Sequence, residues 1–286
     1  MNYSEAIRSG EKTLSEAGIS EAALDARLLL EFVTGCSYAD VLAHPDEEIS
    51  DEQTQLFTKY INMRAGRIPY SYITGICEFM GLSFFVNEHV LIPRQDSECL
   101  VEEAMRFVFD GSDILDLCTG SGCLLISLMN YKNNCNGIGV DISEGAVEVA
   151  KKNAEARRAY SGPSAGSIRF YTGDLYDALP KETGVFDVII SNPPYIRTDV
   201  IPDLMPEVRD HEPVIALDGG DDGLEFYRRI AKPSKKYLRR GGMIFLEIGF
   251  DQAEDVRRIL DANDFTDINI VKDFGGNDRV AVARLR

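Results

Sequence analysis

The segment Ser191-Asn-Pro-Pro-Tyr-Ile196 follows a short apolar run and carries the most distinctive chemistry in the chain. Its two consecutive prolines remove backbone donors and stiffen the turn. The Asn192 side-chain oxygen and the Pro193 carbonyl can then both accept hydrogen bonds. A planar NH2 group offers two N–H donors, so one such group can be held by two acceptors at a fixed angle. The lone pair of an amide or aryl nitrogen is delocalised into its carbonyl or ring. Directing both N–H bonds at acceptors favours pyramidalisation and aims the emerging lone pair at an incoming methyl carbon. Transfer is then an in-line displacement governed by positioning and electrostatics. Tyr195 offers an aromatic face to a flat acceptor, and Pro194 completes the rigid clamp. In isolation Asn-Pro-Pro is equally well a turn; its position after the fourth strand of a nucleotide-binding pattern favours the functional reading. No general base is assigned, and His211 reads as a structural or surface histidine.

Three earlier strand ends carry polar groups of their own. Asp116-Leu-Cys-Thr-Gly-Ser-Gly122 is a tight glycine turn entering a helix, and Asp141 ends the next apolar run, where a carboxylate can accept from ribose hydroxyls. Gly173-Asp174-Leu175 follows the third, with Asp174 as acceptor and Leu175 as apolar wall for an adenine. Together they imply an adenosyl or nicotinamide-type nucleotide. The glycine pattern stops at Gly-x-Gly, short of the Gly-x-Gly-x-x-Gly that brings a helix close to pyrophosphate. Asp116, expected at the mouth of the first strand, would repel pyrophosphate but suits the ammonium and sulfonium charges of S-adenosylmethionine. Taken singly, each of these acids is as readily a turn or cap residue.

Elements that could position these groups follow from the periodicity. Short apolar strands are expected at Ile114–Cys118, Gly137–Asp141, Ser167–Tyr171, Phe186–Ile190 and Met243–Glu247. Helices between them span about Gly122–Met129, Ser143–Arg158 and Leu224–Arg239, the last shortened or kinked by Pro233. This alternation predicts an α/β fold with a parallel sheet covered on both faces. After a helix near Gln252–Ala262, Asp267–Val271 and Arg279–Arg284 are expected to close the sheet as an antiparallel hairpin. Residues 1–83 read as a small all-helical docking domain, with one helix over Glu21–Val33, capped by Ser20 and stopped by Gly35, and another from Ser50-Asp51 towards Arg64. Residues 84–96 read as a β-hairpin linker turning at Asn87-Glu88-His89, and 97–286 as the nucleotide-binding domain.

Composition narrows the class further. The 286 residues are 44% hydrophobic and 27% charged, as expected of a globular chain. With no signal-like start and no apolar run of about 20 residues, the protein is expected in the cytoplasm, without membrane association. Its six scattered cysteines predict reduced thiols rather than a metal site or disulfides. A formal charge of −17 argues against nucleic acid as a partner and for a protein or small-molecule substrate.

The glycine turn, the ribose aspartate and the Asn-Pro-Pro-Tyr loop together resemble class I amino-methyltransferases, whose acceptors include adenine N6, cytosine N4, guanine N2 and glutamine N5. Tyr72-Ile-Thr-Gly-Ile-Cys-Glu-Phe79, Leu91-Ile-Pro-Arg-Gln-Asp-Ser-Glu98, Ala216-Leu-Asp-Gly-Gly-Asp-Asp-Gly-Leu224 and Leu246-Glu-Ile-Gly249 are similar to the HemK/PrmC family. That resemblance implies a class I, Rossmann-like methyltransferase domain behind a helical N-terminal domain. It implies methyl transfer from S-adenosyl-L-methionine to the glutamine of the Gly-Gly-Gln motif in peptide chain release factors. Separately from that resemblance, a monomer is expected. Carried over by position, Thr119, Gly120, Ser121 and Gly122, with Asp141, Leu175 and Asn192, would contact the cofactor; Cys118, in the same turn, is a further candidate. Asn192 to Tyr195 would hold the glutamine, with Arg94 near the substrate pocket. Gln95 stands where the family usually has a second proline, and Leu175 where an aromatic is common. A ribosomal-protein glutamine methyltransferase and a nucleic-acid adenine-N6 methyltransferase are the competing readings.

Overall fold

The computed structural model describes residues 1–158 and 166–286. It divides into two compact units, one formed by Met1–Gly75 with Met205–His211, the other by Ile76–Leu204 with Glu212–Arg286.

The first unit is helical. Helix α1 (Tyr3–Glu16) starts at Asn2 and α4 (Asp51–Ala65) at Ser50, both through reciprocal capping boxes that satisfy amides the helix leaves unpaired. Helix α2 (Ala22–Thr34) ends at Gly35 in the left-handed conformation, as the sequence suggests, but its N-cap is Glu21, with no side-chain cap bond, and not Ser20. Short helices α3 (Tyr38–Ala43) and α5 (Tyr70–Thr74) complete the chain's first pass. Leu14, Leu29, Leu30, Phe57 and Ile61 form the interior. A short helical turn, Pro206–Arg209, joins this unit from far along the sequence. Its Glu207 accepts from Arg64 at 3.1 Å and Arg67 at 3.2 Å, and Arg64 also donates to Asp25 at 2.7 Å. Nothing in the local pattern of 205–211 announces this.

The second unit opens with a hairpin, β1 (Ile76–Phe79) and β2 (Leu82–Phe85), turning at Met80-Gly81. This corrects the expected hairpin at 84–96. Val86, Val90 and Ile92 are apolar because they are buried irregular chain, not because they pair as strands. Helix α6 (Glu98–Ala104) leads into a seven-stranded sheet. Its members are β3 (Asp113–Leu117), β4 (Asn136–Asp141), β5 (Ser167–Thr172), β6 (Phe186–Ser191), β7 (Leu238–Glu247), β8 (Phe265–Lys272) and β9 (Asp278–Leu285). Helices α7 (Cys123–Asn130), α8 (Glu144–Arg158), α9 (Glu225–Ser234) and α10 (Ala253–Asp261) connect them. The spatial order is β5-β4-β3-β6-β7-β9-β8, with β3 to β7 parallel and the last two antiparallel. The α/β class, the parallel sheet and its antiparallel close therefore stand as read from the sequence. Pro233 falls in the last turn of α9, so that helix stops at Ser234 and Arg239 belongs to β7.

Two separate apolar cores cover the sheet. Ile114, Val188 and Phe245 face one with Leu100 and Leu125, while Leu115, Leu117, Ile189 and Ile244 face the other with Tyr227 and Leu260. A near-continuous apolar strand buried on both faces is what a parallel sheet demands. Strand order reverses between β3 and β6, which opens a crevice at their C-terminal ends, the position where open α/β sheets bind ligands.

Candidate active site

The crevice is a cavity whose wall is built from the ends of four neighbouring strands. After β3 come Cys118, Thr119, Gly120 and Ser121; Asp141 ends β4; Asp174 and Leu175 follow β5; Asn192 and Pro194 follow β6. Arg94 and Ser97, ahead of α6, complete it. Most of the predicted residues thus meet in one place. Asp116, Gly122, Pro193 and Tyr195 do not line the cavity.

The β3 turn holds its shape through backbone geometry. Cys118, Gly120 and Gly122 all have positive φ, at 58°, 54° and 79°. At Gly122 an added Cβ would also lie 2.9 Å from Ile126 Cδ1, so both conformation and space call for glycine. The Gly120 amide donates to Asp141 Oδ2 at 2.9 Å and the Ser143 amide to Oδ1 at 3.0 Å. Burial raises the Asp141 pKa despite these donors. Each oxygen keeps a lone pair for a further donor. Asn153, not anticipated from sequence, ties the turn to the hairpin: its Nδ2 donates to Ser121 O at 2.9 Å and to Phe85 O at 3.0 Å.

Asp116 is not at the mouth of the strand. It is fully buried under the turn, where Oδ2 accepts from the Thr119 hydroxyl at 2.6 Å and Oδ1 has no partner. Desolvation pushes its carboxyl up to about 7. The expected open acceptor Asp174 is paired instead with Arg229, whose Nη2 reaches both oxygens at 2.7 and 2.6 Å. Leu175 presents an apolar wall, with φ of 47°.

On the β6 side, Ser191 Oγ donates to Leu117 O at 2.6 Å and locks the loop to β3. Asn192 Nδ2 donates to Ser97 Oγ at 3.4 Å, so the Asn192 oxygen is the end of the amide left for another donor. The expected stacking face of Tyr195 is turned away. That ring packs towards the core, its hydroxyl donates to Glu247 Oε1 at 3.3 Å, and its carbonyl accepts from Gln252 Nε2 at 3.0 Å. A tyrosine after Pro-Pro can face either side of the strand end, and the polar partner in β7 decides it. Arg94 is held by the Glu212 carboxylate. Burial raises Glu212 against the pull of Arg94.

Sequence reasoning missed Ser97, Arg229, Glu212 and Glu247. Only Glu247 gave a signal, as a lone acid in the apolar run Met243-Ile-Phe-Leu-Glu247. No disulfide joins the six cysteines, and no cluster of metal-ligating side chains occurs among the described residues. His211 sits in the helical unit with Nε2 at 3.2 Å from Gly66 O. No helix of the described residues is long and apolar enough to cross a membrane.

Comparisons with known proteins bear directly on this arrangement. Residues 5–75 match the family model of the PrmC N-terminal domain, and residues 114–211 that of a methyltransferase domain. A crystal structure of a methyltransferase from Pyrococcus furiosus shares the fold, with a TM-score of 0.55 at 18% identity over 78% of this chain and 98% of that one. The release factor glutamine methyltransferase of Agrobacterium fabrum is 40% identical over 96% of this chain and 94% of its own length. That of Clostridium acetobutylicum is 39% identical over 99% of this chain and 98% of its own. The chain belongs to the family of release factor glutamine methyltransferases.

Proposed function

We propose that this protein transfers a methyl group from S-adenosyl-L-methionine to the side-chain amide nitrogen of the glutamine in the Gly-Gly-Gln motif of peptide chain release factors. The observation that carries the reading is the Asn192 amide. Its nitrogen is committed to Ser97 at 3.4 Å, which leaves its oxygen to accept from a donor in the cavity. An amide NH2 is such a donor; Pro193 stands between two cavity-lining residues, Asn192 and Pro194, without lining the cavity itself, and we assign its carbonyl as the second acceptor.

The wall also suits the cofactor. The Asp141 carboxylate accepts the Gly120 and Ser143 amides and keeps lone pairs that can take ribose hydroxyls. Thr119, Gly120 and Ser121 bring backbone close to the cavity, with Cys118 beside them. Leu175 walls the adenine, and Asp174 is its acceptor with charge balanced by Arg229. Asp116 acts from beneath the turn through Thr119, and Gly122 shapes the turn. When bound, S-adenosylmethionine supplies an electrophilic methyl group on a cationic sulfur. Asn192 and Pro193 hold the two amide N–H bonds, and Pro194 stiffens the loop that carries them. Tyr195 anchors the loop through Glu247 rather than stacking on the acceptor. Arg94, fixed by Glu212, lies at the edge where polypeptide would approach. The helical unit serves to dock the protein substrate, and the enzyme acts as a monomer in the cytoplasm, where release factors work.

The test supplies radiolabelled S-adenosylmethionine with release factor, ribosomal protein or DNA. Label is expected in release factor alone and should vanish when its glutamine becomes alanine; label in DNA but in neither protein would overturn the reading. Asn192→Ala should lower kcat by about 10²- to 10³-fold, as loss of an oriented transition-state contact does. Its cofactor Kd should stay within about threefold.

A further inference from the structure

Glu247 ends β7 with a carboxylate that is 1% exposed, directly after the buried apolar run Met243–Leu246. Burying an acid there is unfavourable unless it is paired or hydrogen-bonded. It touches Tyr195 at one end of the acceptor loop and reaches Asn192 at the other through Ser97. Oε1 accepts from the Tyr195 hydroxyl at 3.3 Å, and Oε2 is buried without a partner. The Ser97 hydroxyl acts on the same carboxyl, drawing its proton affinity down against burial. Ser97 is itself buried, lines the cavity, and accepts from Asn192 Nδ2 at 3.4 Å. A hydroxyl oxygen that accepts from Asn192 still has its own proton to give, and Glu247 Oε2 is the acceptor that lacks one.

We propose that Glu247 is a positioning residue for the acceptor loop: through Ser97 it fixes which way round the Asn192 amide stands, and through Tyr195 it anchors the loop's far end. The inference rests on the reading of Asn192 as the group that holds the acceptor N–H. An asparagine amide is nearly symmetric in shape but not in hydrogen bonding. Rotated by half a turn, Asn192 would present NH2 to an incoming NH2, donor against donor. Burial lifts the Glu247 carboxyl to about 7; in its ionised form it can only accept, so Ser97 donates to it and accepts from Asn192. That sets Asn192 Nδ2 towards Ser97 and leaves Oδ1 for the substrate. A glutamine at 247 could turn its own NH2 towards Ser97, competing for the lone pairs that Asn192 Nδ2 uses.

The experiment compares Glu247→Gln, Ser97→Ala and the double variant on full-length enzyme with a release-factor substrate. Each single variant should lower kcat by about 10- to 100-fold, as loosened alignment does. KM for the protein substrate and Kd for S-adenosylmethionine should stay within about threefold. Because both act through one chain, the double variant should fall no more than about threefold below the worse single one. Losses that multiply, or a Glu247→Gln enzyme with wild-type kcat, would overturn the proposal. If Glu247→Gln fails to fold, Ser97→Ala removes the same link from the cavity side, and wild-type kcat there overturns it equally. Asn192→Ala run in parallel separates the two readings: turnover retained by that variant sinks the amide clamp itself. Turnover lost there but kept in Glu247→Gln sinks only the positioning role.

Discussion

Asp116 offers a direct test of how the β3 turn is built. Its carboxyl is fully buried, one oxygen holds the Thr119 hydroxyl and the other holds nothing. Desolvation, the largest influence, lifts it from an ordinary 3.8 to about 7. Below pH 4 the acid is protonated in both folded and unfolded chains and contributes no pH dependence. Between about 4 and 7 the folded chain keeps a proton that the unfolded chain has lost, so stability must fall as pH rises, by roughly 1.4 kcal/mol per pH unit at most. Above about 7 both are ionised and the curve flattens, with the buried charge costing about 4 kcal/mol at most.

Asp116→Asn removes this titration and keeps an oxygen for Thr119. Its new NH2 meets the place where Oδ1 has no partner, and an orphaned buried donor costs about 1–3 kcal/mol. The absolute gain at pH 8 is therefore smaller than 4 kcal/mol, but the orphan penalty does not depend on pH. Slope is the diagnostic quantity. Urea unfolding followed by far-UV circular dichroism from pH 5 to 8.5 suits a chain without tryptophan. The wild type should lose stability up to about pH 7 relative to the variant, and the gap should then hold constant. Glu247, also raised to about 7 by burial, slopes in both proteins and cancels in the comparison. Parallel curves for the two proteins across the whole range would refute the picture of a protonated acid beneath the turn.

Two glycines test packing rather than charge. At Gly139 on β4 an added Cβ would lie 2.5 Å from the Phe170 ring and 2.9 Å from Thr119 Oγ1. Gly139→Ala should destabilise by about 1–3 kcal/mol in chemical denaturation and weaken S-adenosylmethionine binding in calorimetry, because the strain reaches Thr119. In the helical unit, Gly10 of α1 faces Ile61 Cδ1 at 2.9 Å and Ala26 Cβ at 3.0 Å. Gly10→Val should therefore lower the melting temperature despite replacing a poor helix former, while leaving cofactor affinity unchanged.

Much of the site was legible because strand ends announce themselves. An apolar run of four to six residues followed by glycine, proline or an acid locates a chain reversal, and four such reversals in an α/β alternation must converge on one edge of the sheet. Side-chain direction was not legible. Asp116 lies within β3 itself, flanked by Leu115 and Leu117, so the pleat and the helices over the sheet bury it. Tyr195 turns towards Glu247, a residue 52 positions away. The misplaced hairpin has a similar cause: Val86, Val90 and Ile92 look strand-like because burial selects apolar residues whether or not a partner strand is present. The true turn, Met80-Gly81, showed only a single glycine. The membership of 205–211 in the helical unit depends on Glu207 meeting Arg64 and Arg67, pairs more than 130 residues apart that no local pattern encodes.

The polar atoms left unsatisfied in the α/β unit bear on the proposed chemistry. Among the described residues, Asp116 Oδ1, Ser121 Oγ and Glu212 Oε2 are buried without hydrogen-bond partners and belong to the cavity wall or to a residue bonded to that wall, whereas Ser127 Oγ, also unsatisfied, lies in α7 away from it. A protein optimised for stability alone would satisfy or replace such groups. An acid beside the wall favours a cationic ligand when it is ionised, but it does so whether or not methyl transfer is under way, and uniform binding does not raise kcat. The oxygens proposed to accept from the substrate amide, those of Asn192 and Pro193, differ in this respect. As the amide nitrogen bonds to carbon it gains positive charge and its N–H groups become stronger donors. Hydrogen bonds to two fixed oxygens therefore strengthen on the way to the transition state, which is where stabilisation accelerates the reaction. On this view the acids bind and orient, while the rate advantage arises at two neutral oxygens whose directions are set from behind.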